Sequence, residues 1–143
     1  MIKVESSVVI NKPPAEVYAF VTSSEHGAEW QGGVVSVKDE GASNTVGSRY
    51  VETRKFLGQE MKTTLEIVAV EPNVKWVSKV VKGPVPYEVT LTFEAAGAGT
   101  KVTTKVEGEP TGFFKIAEGM VASQLEKSLA EDGQHLKKIL EGG

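Results

Sequence analysis

The sequence predicts an α+β domain, in which an antiparallel sheet of about seven strands is followed by one long C-terminal helix. Three observations carry this expectation. Apolar and polar side chains alternate with a period of two through most of the middle of the chain. A proline pair soon after the first strand opens a helical stretch, and the closing segment is amphipathic at helical spacing. Runs of strands ahead of a terminal helix give segregated α+β architecture rather than alternating βαβ units.

Taken in order, the chain begins with a strand ending at "VVI" and turns at Pro13-Pro14, after Asn11. A proline at the first helical position costs nothing, because its missing N–H would have no partner there anyway. Val17, Phe20 and Val21 form the apolar stripe of this short helix. "SSEHGAEW" adds a further turn or two of helix, ending near Gln31-Gly32-Gly33. In the strands that follow, Gly58 of "LGQE" suits the first central position of a two-residue turn. Pairing Leu57 with Glu60 then sets Phe56 opposite Met61, Arg54 opposite Thr63, Glu52 opposite Leu65 and Tyr50 opposite Ile67. The turn at Pro72-Asn73 carries the Leu65, Ile67 and Ala69 face onto Val80, Ser78 and Trp76.

"YEVTLTFE" and "KVTTKVE" alternate cleanly and are joined by the glycine-rich "AAGAGT". If Ala95 pairs with Thr100, then Phe93 faces Val102, Leu91 faces Thr104 and Val89 faces Val106. On the other face Glu94 meets Lys101, an opposite-charge pair suited to solvent. The last segment runs from about Gly112 to Glu141. Its apolar band holds Phe113, Ile116, Ala117, Met120, Val121, Leu125, Leu129, Leu136 and Leu140, with Gln124 and Ser128 inside it. Gly133 is a candidate kink, since glycine costs about 1 kcal/mol relative to alanine in a helix interior.

Composition narrows the function classes. With 143 residues, 40% hydrophobic and 24% charged, the chain reads as one globular domain spanning 1–143. A net charge of −3 argues against nucleic acid as a partner, because phosphate-tracking surfaces need clustered excess Lys and Arg. No apolar run has the length of a membrane span, and polar Lys3 and Glu5 leave no visible signal peptide. With no cysteine there is no disulfide framework, thiolate nucleophile or thiolate-held metal, and a cytoplasmic setting is the expectation. Monomer and dimer are both compatible with the sequence.

"INKPPAEVYAFVTSSEHGAEW", "IVAVEPNVKWVSKV", "GAGTKVTTKVEGEP" and the long last helix, in this order, resemble the START-like (SRPBCC) helix-grip superfamily. The similarity is to its polyketide cyclase/dehydrase-like and lipid-transport-like group, and it covers nearly the whole chain. It implies a curved antiparallel sheet gripping the C-terminal helix, with a hydrophobic cavity between them. The fold hosts many activities, so the function must be argued from the cavity.

Period-two alternation puts Tyr50, Glu52, Arg54 and Phe56 on the inward face, together with Thr63, Leu65, Trp76, Ser78, Tyr87, Val89, Leu91 and Thr104. Met120, Gln124 and Ser128 are the expected wall contributed by the helix. Glu52 and Arg54 are the candidate catalytic pair. As inward charges they must pair or meet water. As a ligand anchor, Arg54 offers a planar donor fork to an oxyanion, and Glu52 serves a hydroxyl or acts as a base. His26 and His135 are the only histidines, and no ligand cluster accompanies either, so neither metal nor cofactor is expected. His135 falls in a charged stretch and reads as solvent-exposed, while His26 falls near the expected cavity mouth. Trp30 reads as a packing residue. No nucleophile–base pair or phosphate loop is present in the sequence.

The first functional expectation is therefore a carrier or sensor that binds a hydrophobic small molecule such as a lipid, quinone or polyketide-like compound. The second is a polyketide cyclase/dehydrase using Arg54 with Glu52 or a tyrosine. A third is a protein-interaction module using the outer sheet face or the long helix.

Overall fold

A computed structural model gives the structure of the protein and describes residues 1–41, 45–111 and 113–142, without the side chains of Phe113 and Phe114. Strand β1 (Ile2–Ile10) is followed by α1 (Pro14–Val21), a 3-10 turn at Ser24–His26 and α2 (Gly27–Trp30). Six strands come next: β2 (Val34–Glu40), β3 (Arg49–Phe56), β4 (Gln59–Glu71), β5 (Lys75–Lys82), β6 (Tyr87–Ala96) and β7 (Gly99–Gly108). A one-turn helix α3 (Phe113–Ile116) leads into α4 (Glu118–Gly142). The strands form one antiparallel sheet in the order β1-β7-β6-β5-β4-β3-β2. The first strand thus lies beside the last, and α1 and α2 carry the chain from one sheet edge to the other. The sheet curves around α4 in a helix-grip fold.

Alternation places one face of each strand against the helix. Ile10, Val17 and Val21 join Trp76, Leu91, Phe93 and Leu136 in one apolar cluster. Ile2, Val4, Val106 and Val121 form a second, against which Leu125 and Leu129 pack. Register shifts at Val34/Ser36 and Ile67/Ala69 interrupt the ladders, and such bulges bend a strand and increase its twist.

The β6–β7 register is the one expected, with Ala95 opposite Thr100, Leu91 opposite Thr104 and Val89 opposite Val106. The β3–β4 register differs. Phe56 pairs with Gln59, Arg54 with Met61, Glu52 with Thr63 and Tyr50 with Leu65. The turn residues are Leu57 and Gly58, with φ of 52° and 76°. A turn with both central φ values positive matches strand twist, and glycine takes the second place as it does in Asn-Gly turns. The resulting slip is by an even number of residues, so every side chain keeps its face. Between β4 and β5, Leu65 meets Val80 and Ile67 meets Ser78 as expected, but the bulge moves Trp76 opposite Val70.

The final helix needs two corrections, one at Ile116 and Met120 and one at Gly133. Gly112 and the side chain of Phe113 lie outside the described residues. Ile116 and Met120 are not part of a buried band, being 91% and 56% exposed. Gly133 does not break α4, which runs through it unbroken. A Cβ built there would sit 3.4 Å from Val8, an ordinary contact, so the helix packs on β1 at a distance that alanine would also fit.

Candidate functional site

Between the sheet and α4 lies a cavity of about 170 Å³. Strand alternation brings Tyr50, Glu52, Arg54 and Phe56 of β3 to its wall, with Leu65, Trp76, Tyr87, Val89, Leu91 and Thr104 from the strands beyond. Thr63 and Ser78 are buried but stand behind the wall. Ser78 shares a 2.8 Å hydrogen bond with the Tyr50 hydroxyl, and Thr63 hydrogen-bonds the Tyr87 hydroxyl. The helix presents Val121, Leu125 and Leu129 to the cavity rather than Met120, Gln124 and Ser128. Gln124 and Ser128 instead hydrogen-bond each other at 3.4 Å on the neighbouring row. The apolar band is wide enough to permit either rotation, and packing selects the row of Val121, Leu125 and Leu129.

Charge is concentrated at one place on the wall. Arg54 donates from Nε to Glu52 Oε1 at 2.8 Å and from its terminal NH2 nitrogen to Gln31 Oε1 at 3.1 Å. The two charged side chains are only 18% and 10% exposed. Gln31 in turn donates from Nε2 to the Gly27 carbonyl at 3.3 Å, which fixes its carbonyl oxygen toward Arg54. Burial alone would lower the Arg54 pKa, but the adjacent Glu52 carboxylate outweighs it and holds the guanidinium charged. Burial raises the pKa of both Tyr50 and Tyr87, so these hydroxyls stay protonated.

Residues absent from the sequence-based expectation complete the site. Asp132 of α4, 6% exposed, accepts the Gly32 N–H at 3.0 Å and lies near enough to Arg54 for their charges to interact. Burial pushes its carboxyl above the ordinary aspartate value, with Gly32 and Arg54 pulling it back. Its spacing in the row Leu125, Leu129, Asp132, Leu136 was the available signal, since steps of four and three keep one helix face. Trp30 is buried and lines the cavity. Like Trp76, its indole N–H has no hydrogen-bond partner among the described residues.

Ser23, Ser24 and Asp39 line both the cavity and a cleft on the surface, which locates a mouth beside α1 and β2. Ser24 Oγ donates to Asp39 Oδ1 at 2.6 Å across it. His26 is not among the cavity-lining residues. Its ring stacks on Phe20 with centroids 4.2 Å apart, and its Nδ1 bonds Glu29. His135 is exposed. Among the described residues, no group of three or more His, Cys, Asp or Glu is placed to hold a metal, and no helix is long and apolar enough to cross a membrane.

A sheet closed on a long helix with a lined cavity is an arrangement that can be compared with known proteins. The family described as polyketide cyclase/dehydrase and lipid transport matches residues 1–141. The chain belongs to this family. No curated protein matches it by sequence. Among solved structures, one from Thermus thermophilus is 20% identical with a TM-score of 0.85, covering 98% of this chain and 97% of that one. A START superfamily protein from Mycobacterium smegmatis is 12% identical with a TM-score of 0.80, covering 99% of each. The major latex-like protein 151 of Panax ginseng is 17% identical with a TM-score of 0.75, covering 96% of each. At such identities the likeness concerns the fold, and the cyclase/dehydrase and lipid transport family accounts for it.

Proposed function

We propose that the protein binds a hydrophobic small molecule in the cavity between sheet and α4, as a carrier or sensor working in the cytoplasm. The observation that carries this reading is a mostly apolar cavity of about 170 Å³ with one buried charge pair, Glu52 and Arg54, on its inner wall. Small-molecule sites have this character, with an apolar lining for affinity and a few polar groups for orientation. An apolar cavity of about 150 Å³ is enough to admit benzene in another protein, so one or two rings suit the present volume. A longer ligand would use the mouth at Ser24 and Asp39.

The cyclase/dehydrase reading draws on the family description and on the convergence of Glu52, Arg54 and Tyr87. It ranks second because oxyanion stabilisation needs donors aimed at the place where charge will develop. The Arg54 donors described above are engaged by Glu52 and Gln31.

Filling the cavity tests the binding reading. Leu125→Trp should lower the affinity of an apolar fluorescent probe while the circular dichroism spectrum is preserved. Native mass spectrometry of the purified protein should show a co-purifying small molecule that this variant loses. Unchanged probe affinity in a folded variant refutes the cavity as the site. Turnover of a polyketide-like substrate by the wild type would put the enzyme reading first.

A further inference from the structure

We infer that the ligand is uncharged and anchors through a hydroxyl that donates to Glu52, and that the cavity rejects carboxylates. This rests on the binding reading above and specifies its ligand. An arginine in an apolar pocket ordinarily suggests an acid as its ligand, but here two of the guanidinium's five N–H donors are engaged and its charge is compensated by Glu52. The guanidinium already holds a carboxylate at 2.8 Å through Nε and an amide oxygen at 3.1 Å through a terminal nitrogen. The Gln31 amide cannot readily turn away, because its own Nε2 is held by the Gly27 carbonyl.

The surrounding charge adds to this. Among the described residues, Glu52 and Arg54 are the charged pair of the inner wall, while Asp39 is exposed at the mouth, where Ser24 hydrogen-bonds it. Asp132 lies behind Arg54 on the helix side. A ligand carboxylate would enter a weakly solvated space with no uncompensated positive charge, beside like charges, and lose its hydration. A neutral hydroxyl has a ready acceptor, because Arg54 Nε binds Glu52 through Oε1 and the carboxylate has a second oxygen.

One ring system with different substituents tests the proposal. Naphthalene, 2-naphthol, 2-naphthoate and 2-naphthylmethylammonium are titrated at neutral pH by calorimetry. The indole N–H resonances report the site, since the chain's 2 tryptophans both line the cavity. The wild type should bind 2-naphthol more tightly than naphthalene, and 2-naphthoate at least about tenfold more weakly than 2-naphthol. Glu52→Gln keeps an acceptor oxygen for Arg54 but removes the counter-charge. It should therefore gain about tenfold or more for 2-naphthoate, through an Arg54 charge no longer compensated.

If 2-naphthoate matches or exceeds 2-naphthol in the wild type while shifting an indole resonance, this inference is overturned and the binding reading stands. Tightest binding by the ammonium compound overturns the uncharged assignment. If none of the probes shifts an indole resonance, both readings fall. Should Glu52→Gln not fold, the paired variant Glu52→Gln with Arg54→Met must lose the preference for 2-naphthol over naphthalene. A preference that persists there refutes Glu52 as the anchor.

Discussion

Replacing Arg54 by methionine perturbs the site where the structure makes its strongest energetic statement. The change leaves the Glu52 carboxylate, whose side chain is 10% exposed, without its ion-pair partner and leaves Gln31 Oε1 without its donor. Breaking a buried pair from one side costs about 3–5 kcal/mol, because the remaining charge keeps its desolvation penalty. Glu52 borders a cavity that water can enter, so the lower end, about 3 kcal/mol, is expected. For a domain of this size each kcal/mol moves Tm by roughly 3 °C, giving a fall of about 9 °C. Adding Glu52→Gln removes the stranded charge, so the double variant should return to within about 1 kcal/mol of wild type. Urea melts of the four species at neutral pH, followed by circular dichroism, yield a coupling energy of about 2 kcal/mol or more. A single variant that loses less than about 1 kcal/mol, or a double variant no more stable than the single one, would show that the two charges are not a desolvated unit.

Three further outcomes follow from the packing. Leu91→Ala should cost about 2–5 kcal/mol, toward the lower end because Leu91 borders the cavity, whereas Thr90→Ala on the opposite face should stay within about 0.5 kcal/mol. Equal losses in denaturant melts would refute the face assignment. Gly133→Ala should stabilise by about 1 kcal/mol, since its methyl would sit at 3.4 Å from Val8 in ordinary contact and alanine favours helix. Gly99→Ala should destabilise, because a Cβ there would lie 2.4 Å from the Ile10 carbonyl oxygen; melts giving both changes the same sign would refute this packing. Asp132→Asn addresses pH. The folded-state pKa of Asp132 is raised above its ordinary 3.8, so its stabilising contribution is complete below that value and declines as pH rises through the folded value. The asparagine variant should therefore gain on wild type from about pH 4 toward neutrality, and parallel Tm–pH curves would contradict this.

The inward identities of Glu52, Arg54, Tyr87 and Leu91 were legible in the sequence because a strand's side-chain period is two. Even the displaced β3–β4 register left them in place, since a slip by an even number of residues changes partners but not faces. The order of elements was legible for a related reason: proline, glycine and periodicity act locally, within a few residues of where they stand. The helix rotation was not legible. A band holding both Met120 and Val121 is compatible with several rotations, and only packing of α4 against the sheet chose Val121, Leu125 and Leu129. The electrostatic state of Arg54 also required the tertiary structure. Glu52 is two residues away along β3, but Gln31 comes from the end of α2 and Asp132 from a helix near the far end of the chain. Local rules reveal which side chains share a face, whereas the compensation of a buried charge depends on groups that distant segments bring within a few ångströms of it.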